Sequence, residues 1–229
     1  MYRYVVTFSK SGPIRYISHL DMLRLFKRAF RRADIELAYS HGYNPHPKMG
    51  FAQPLSLGYD AEGEYLEVET SEPVSRRRMT ERLQDALPED VRIVDAGRIA
   101  DGQKSLAASV DGAIYSVDYP LPYDAVDMDP VIEAYLAQDS IMALKRQKKT
   151  KQMKETDIRS KIRRIQAVKN ENQNLRLVME LDCGSASNLS PELVISTFDP
   201  FASINCERYE LDVCRNKLIL PVDYSIQLL

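Results

Sequence analysis

Hydrophobic and polar positions alternate, turn helical, and alternate again, and the chain does this twice. "YRYVVTF" puts Tyr4, Val6 and Phe8 on one face, the period of a strand. "YISHLDMLRLFKRAFRRA" follows with the period of a long helix. "KMGFAQPL" and "EYLEVET" predict two strands joined by a turn-rich loop that holds Gly58, Asp60 and Gly63. The second of these alternates Leu66 and Val68 against Glu67 and Glu69. "PVSRRRMTERLQDALP" spaces Met79, Leu83 and Leu87 as a helix does and stops at Pro88. "VRIVDAGRI" predicts a closing strand.

Strand, helix, strand, strand, helix, strand is the order of a split βαβ, or ferredoxin-like, unit. The second half repeats it. "AIYSVDYPL" reads as a strand, and "DPVIEAYLAQD" as a helix with Pro130 suited to its first turn. Residues 141–168 are read as two strands around a basic block. "NLRLVMELDC" either extends the second of these or stands as its own strand. "SPELVISTF" starts a helix with Ser190 as cap and Glu192 in the first turn. "ERYELDVC" alternates Tyr209, Leu211 and Val213 as a last strand. The prediction is therefore an α+β fold of two tandem ferredoxin-like units with antiparallel sheets. They cover residues 1–105 and 106–229, with a linker near "DGQKSLAASVDG".

Charge is strongly segregated beneath a net value of −2. Residues 1–50 carry 9 Lys/Arg against 3 Asp/Glu, whereas residues 51–100 carry 6 against 11. Within "KRQKKTKQMKETDIRSKIRR", residues 145–164, ten cations face two anions. Two basic blocks are thus the main electrostatic signal. In the first helix Arg24, Lys27, Arg28, Arg31 and Arg32 fall on one arc at about 100° per residue, opposite Met22, Leu25, Phe26, Ala29 and Phe30. Like charges at i,i+4 each cost about 0.2–0.5 kcal/mol. Either the acidic "EGEYLEVETSE" offsets that repulsion from within, or a polyanion such as an RNA phosphate backbone does. The second block supplies Lys145, Arg146, Lys148, Lys149 and Lys151, read as either a solvated hairpin tip or a cationic arm.

The three histidines are His19, His41 and His46. In "ISHLD", Ser18 is a good N-cap and Asp21 completes a capping-box variant, which accounts for both without requiring a histidine at 19. An acid–base pairing of His19 with Asp21 or Ser18 is the chemical alternative. "SHGYNPHPK" is loop chemistry: Gly42 permits positive φ, and two prolines fix the chain around His46. One reading has this loop tuck Tyr43 and Pro45 onto the core. The other has it present Asn44, His46 and Lys48 to a ligand. A helix of about 15 residues spans roughly 22 Å, which sets His19 and His46 at its opposite ends. That distance argues against a three-histidine metal centre, whose nitrogens must lie within about 2.1 Å of one ion.

Composition narrows the classes. No apolar run reaches the roughly 20 residues of a membrane helix, and "MYRYVVTFSK" has no long apolar core of a signal peptide, so a cytoplasmic protein is expected. Cys183, Cys206 and Cys214 form no CxxC and no iron–sulfur cluster motif. No Gly-rich phosphate loop supports a nucleotide cofactor, and none is expected.

"FSKSGPIRYISHLDMLRLFKRAFRRADIELAYSHGYNPHPKMGFAQPLSLGYDAEGEYLEV" resembles the bacterial radical-SAM-linked proteins, a family of unknown function. SHLD followed by YSxGxNPHPK carries the resemblance. His19 and Asp21 match the first motif, and Asn44, Pro45, His46 and Lys48 match the second. The resemblance implies a radical-SAM protein as partner rather than a reaction. Together with the basic blocks it leads to an expectation of a tRNA- or rRNA-binding accessory. The alternatives are an RNA-processing or RNA-modifying enzyme using His19, Asp21 and His46, and a module that only docks on its partner protein. Tandem ferredoxin-like units with basic faces also look like the CRISPR repeat-processing endoribonucleases, a likeness of fold alone.

Overall fold

The computed structural model describes residues 1–125, 127–147 and 151–227. It has an α+β fold in two compact units, residues 1–110 with 215–229, and residues 111–214. The first boundary lies five residues beyond the one read from the sequence. The chain then returns to the first unit at Arg215.

In the first unit β1 (Tyr2–Lys10) leads through a 3-10 turn to α1 (His19–Arg32), β2 (Met49–Phe51), β3 (Asp60–Thr70), α2 (Arg76–Ala86), β4 (Val91–Ile99) and the short α3 (Leu106–Ser109). β1 pairs antiparallel with β3, Val6 opposite Leu66, and with β4, Val6 opposite Ala96. β2 pairs antiparallel with β3, Phe51 opposite Leu66. The order is β4-β1-β3-β2. Alternation turns Tyr4, Val6 and Phe8 of β1 and Leu66 and Val68 of β3 to one face, where they bury Phe26, Ala29 and Phe30 of α1 and Met79 and Leu83 of α2. α1 begins where Ser18 Oγ accepts from Asp21 N at 3.1 Å, the predicted cap. α2 begins likewise at Ser75.

The second unit contains β5 (Gly112–Pro122), α4 (Met128–Leu136), β6 (Met142–Arg146), β7 (Met153–Asp157), β8 (Ile162–Lys169), β9 (Asn174–Asp182) and α5 (Pro191–Phe201). β10 (Asp212–Ile219) starts in this unit and ends in the first, where β11 (Ile226–Gln227) also pairs with β4. Here the order is β8-β9-β5-β10. β5 and β8 flank β9 antiparallel, with Tyr115 and Ile165 both opposite Met179.

Two local readings need correction. The described residues of 141–168 hold three strands, not two: β6 and β7 pair with each other as a hairpin, and β8 joins β9, which is a strand in its own right. "ERYELDVC" does not run as a strand from its start. Residues 208–210 form a 3-10 turn held by a Glu207/Glu210 capping box, leaving Tyr209 exposed, and β10 begins at Asp212. The capping hydrogen bonds outweigh the alternation.

The second unit's core holds a buried polar pair. Tyr119 Oη donates to Asp199 Oδ1 at 2.7 Å. Burial pushes the Asp199 carboxyl up to about 6 despite that bond, and burial beside Asp199 also pushes the Tyr119 hydroxyl up. A carboxyl whose folded-state pKa is raised favours folding below its unfolded pKa and loses that contribution as pH rises through the folded value. Asp199→Asn keeps an acceptor for Tyr119 and removes the titration. The variant is expected to gain on the wild type between about pH 4 and about pH 6, by roughly 2–3 kcal/mol at most. Urea unfolding at several pH values measures this, and a stability difference independent of pH contradicts it.

Candidate functional site

The carboxylates of β3 are already occupied. Glu67 holds Arg3 at 2.6 Å, and Glu69 holds Lys48 Nζ at 2.8 Å. Glu64 is 3% exposed and takes Arg215, 1% exposed, in a two-pronged pair. Arg215 Nε donates to Glu64 Oε1 at 2.7 Å and Nη2 to Oε2 at 2.5 Å. The same guanidinium donates to the carbonyls of Pro54 and Gln53, both at 3.1 Å. Gly63 lies beside this anchor: a Cβ there would stand 3.0 Å from the Asn216 carbonyl oxygen. The acidic strand therefore does not offset the cations of α1, one of the two readings of that helix.

Those cations remain exposed. Arg24 pairs with Asp21 at 2.8 Å, and Arg32 donates to the Ala86 carbonyl. Among the described residues Lys27, Arg28 and Arg31 have no ion-pair partner. Lys27 and Arg31 line an open groove with Asp34, Glu36 and Tyr39. Asp34 stands 3.9 Å from Arg78, and Tyr39 opens the histidine loop.

That loop is a presented one. Ser40 N donates to the His46 carbonyl at 2.8 Å, His46 N to Ser40 Oγ at 3.0 Å, and Lys48 N to the Ala38 carbonyl at 2.8 Å. The clasp leaves Tyr43 fully exposed, with Asn44, Pro45 and His46 also in solvent. The reading that Tyr43 and Pro45 tuck onto the core is thus overturned: the backbone clasp, not apolar burial, holds the loop. Lys48, expected on this platform, is held back by Glu69.

His19 is elsewhere. Its ring meets Phe51 at 5.2 Å, edge to face, at the first turn of α1, while the His46 loop is fastened beyond the helix's last turn at Ala38. No described cavity is lined by both. Asp21 does not pair with His19. It accepts from Ser18 Oγ at 2.7 Å and from Arg24, and these two bonds hold its carboxyl below the usual range. The structure therefore places Asp21 as a capping residue and brings neither His46 nor Asp21 to His19.

What stands beside His19 is a cavity that the sequence reading missed. Ser18, His19, Phe51 and Gln53 line it together with Lys10 and Glu64. Lys10 is only 6% exposed. Burial, with Arg215 nearby, holds its ammonium below the ordinary lysine pKa, although Glu64 and Asp60 pull the other way. A signal was present. Lys10 continues the inward phase of Tyr4, Val6 and Phe8, and Glu64 that of Leu66 and Val68. Charged side chains on a core-facing phase mark a site or a buried pair; Glu64 makes a buried pair with Arg215.

In the second unit, Lys145 and Arg146 lie on β6, with Lys145 opposite Lys154, and Lys151 follows in the turn; these side chains are exposed. Lys148 and Lys149 lie outside the described residues. Among the described residues, no helix is long and apolar enough to cross a membrane.

Arg215→Leu strands Glu64 in the interior and is expected to cost about 3–5 kcal/mol, while Glu64→Leu with Arg215→Leu is expected to recover most of that. Urea midpoints of the single and double variants measure the coupling, and a double variant less stable than Arg215→Leu contradicts it.

No curated protein matches this chain. Residues 3–191, however, match the profile of a family described as an uncharacterised protein conserved in bacteria (DUF2344), and the chain belongs to that family.

Proposed function

We propose that this protein is a cytoplasmic accessory that holds structured RNA, tRNA or rRNA, for a radical-SAM partner. The observation that carries the RNA part is the α1 face. Lys27, Arg28 and Arg31 are exposed with no ion-pair partner among the described residues, and Lys27 and Arg31 share a groove with Tyr39, Asp34 and Glu36. Cations that no carboxylate pairs with suit phosphates, and an exposed tyrosine beside them suits a stacked base. Tyr43, Asn44 and His46 would extend this surface, and Lys145, Arg146 and Lys151 would add contacts from the second unit. The partner rests on the resemblance carried by SHLD and YSxGxNPHPK. The proposal takes each unit as ferredoxin-like, supported by the orders β4-β1-β3-β2 and β8-β9-β5-β10. Acid–base catalysis shared by His19 and His46 gains no support, because they stand at opposite ends of α1.

Filter binding to purified tRNA and rRNA across a salt series tests the RNA claim. Each phosphate contact adds about 0.7–0.9 to the slope of log affinity against log salt. Replacing Lys27, Arg28 and Arg31 together by alanine is expected to lower the slope by about 2 and the affinity at least ~10-fold. Affinity indifferent to salt, or to the triple replacement, contradicts the proposal.

A further inference from the structure

The pair of Tyr119 and Asp199 in the second unit leaves one carboxylate oxygen over. Asp199 is 9% exposed, and its Oδ1 accepts from Tyr119. Among the described residues nothing donates to Oδ2. That oxygen is not sealed inside the protein either, because Asp199 lines an open pocket at the end of α5.

The surroundings favour a positive charge there. Asp199 stands in the last turn of α5, the negative end of the helix dipole, and that turn has no basic residue. Arg208 also lines the pocket, but Glu192 takes its Nε and Nη2 at 2.7–3.0 Å, so those two charges cancel. Cys206 adds no charge: burial, with Glu210 and Asp199 nearby, pushes its thiol up. Ser196 Oγ donates to the Leu193 carbonyl of its own helix at 3.0 Å. Asp199 is therefore the unmatched charge of the wall. The other lining residues, Ile195, Pro200, Ile204 and Leu211, are apolar. The free space is ≈ 320 Å³. Small-molecule sites begin at about 300 Å³.

We infer that this pocket binds a small organic amine, whose ammonium donates to Asp199 Oδ2 while its apolar body lies against Ile195, Ile204 and Leu211. A single oxygen suits a compact ammonium. The fork of a guanidinium needs both oxygens of a carboxylate, and Tyr119 already holds Oδ1. A quaternary ammonium has no N–H to donate and is held by aromatic rings, none of which lines this pocket among the described residues. RNA binding can fail entirely without touching this inference, because Lys27, Arg28 and Arg31 do not line this pocket.

The amine requires an ionised Asp199, and burial pushes that carboxyl up to about 6. The titratable and charged groups around it are Tyr119 from β5, Tyr135 from α4, Cys206, and the Arg208–Glu192 pair. The two hydroxyls and the thiol are neutral between pH 5 and pH 7.5. A carboxyl of this kind is about one-tenth ionised at pH 5, so affinity is expected to fall about 10-fold from pH 7.5 to pH 5.

The test uses the full chain labelled with 13Cγ-aspartate, titrated with benzylamine. Benzyl alcohol and Nα-acetyl-lysinamide are run alongside. At pH 7.5 benzylamine is expected to move one aspartate carboxyl resonance saturably, at millimolar concentration, and to raise Tm by several degrees. Benzyl alcohol, which has the same shape and no charge, is expected to do neither. Asp199→Asn keeps the acceptor for Tyr119 and is expected to lose both the resonance and the rise in Tm. If Asp199→Asn does not fold, the wild-type titrations decide alone. No saturable movement, an equal response to benzyl alcohol, an affinity unchanged between pH 7.5 and pH 5, or an undiminished rise in Tm in Asp199→Asn overturns the inference. So does tighter binding of Nα-acetyl-lysinamide than of benzylamine, which would assign the pocket to a lysine of a protein partner.

Discussion

The buried pair between Glu64 and Arg215 is the constraint from which the rest of the first unit follows. Two charges at 1% and 3% exposure are tolerable only when each satisfies the other and the spare donors find carbonyls, as they do at Gln53 and Pro54. The pair joins β3 to β10 across 151 residues of sequence and fixes where the chain returns to the first unit. It also engages Glu64, one of the two carboxylates near Lys10.

The same reasoning extends along β3. Glu67 and Glu69 point to the other face of the strand and are engaged by Arg3 and Lys48. With its acids taken, the strand has none to offer α1. Two sets of cations are then left without an ion-pair partner among the described residues: Lys10, whose side chain is largely buried beside the start of α1, and Lys27, Arg28 and Arg31, set out in water. The exposed ones act on a long polyanion through a sum of screened contacts.

Much of the backbone was legible in the sequence because it is written in short-range signals. Ser18 and Ser190 cap the helices they were expected to start, and the alternation of Val6, Phe8, Leu66 and Val68 gave the core face. The charges were legible individually but not in their pairing. That Lys48 is bound by Glu69, or Glu64 by Arg215, depends on register and on a strand far along the chain, which local periodicity does not contain. The loop around Tyr43 was left open between two readings because an aromatic residue just before two prolines suits either a tucked or a presented loop. The clasp of Ser40 on His46 decides between them, and it is a tertiary bond. The cavity beside His19 was missed for a different reason. Attention to histidines passed over Lys10 and Glu64, although both lie in phase with the apolar residues of their strands.

The central claim is that Glu64 belongs to Arg215 and that Lys10, largely buried, consequently has no ion-pair partner among the described residues. The titration of Lys10, followed by 13Cε NMR in the free protein, tests this most directly. The account predicts that one lysine titrates below all the others, and that its resonance is the one missing from Lys10→Met. If Lys10 instead titrates with the surface lysines or above them, Glu64 is shared with it and the account is wrong.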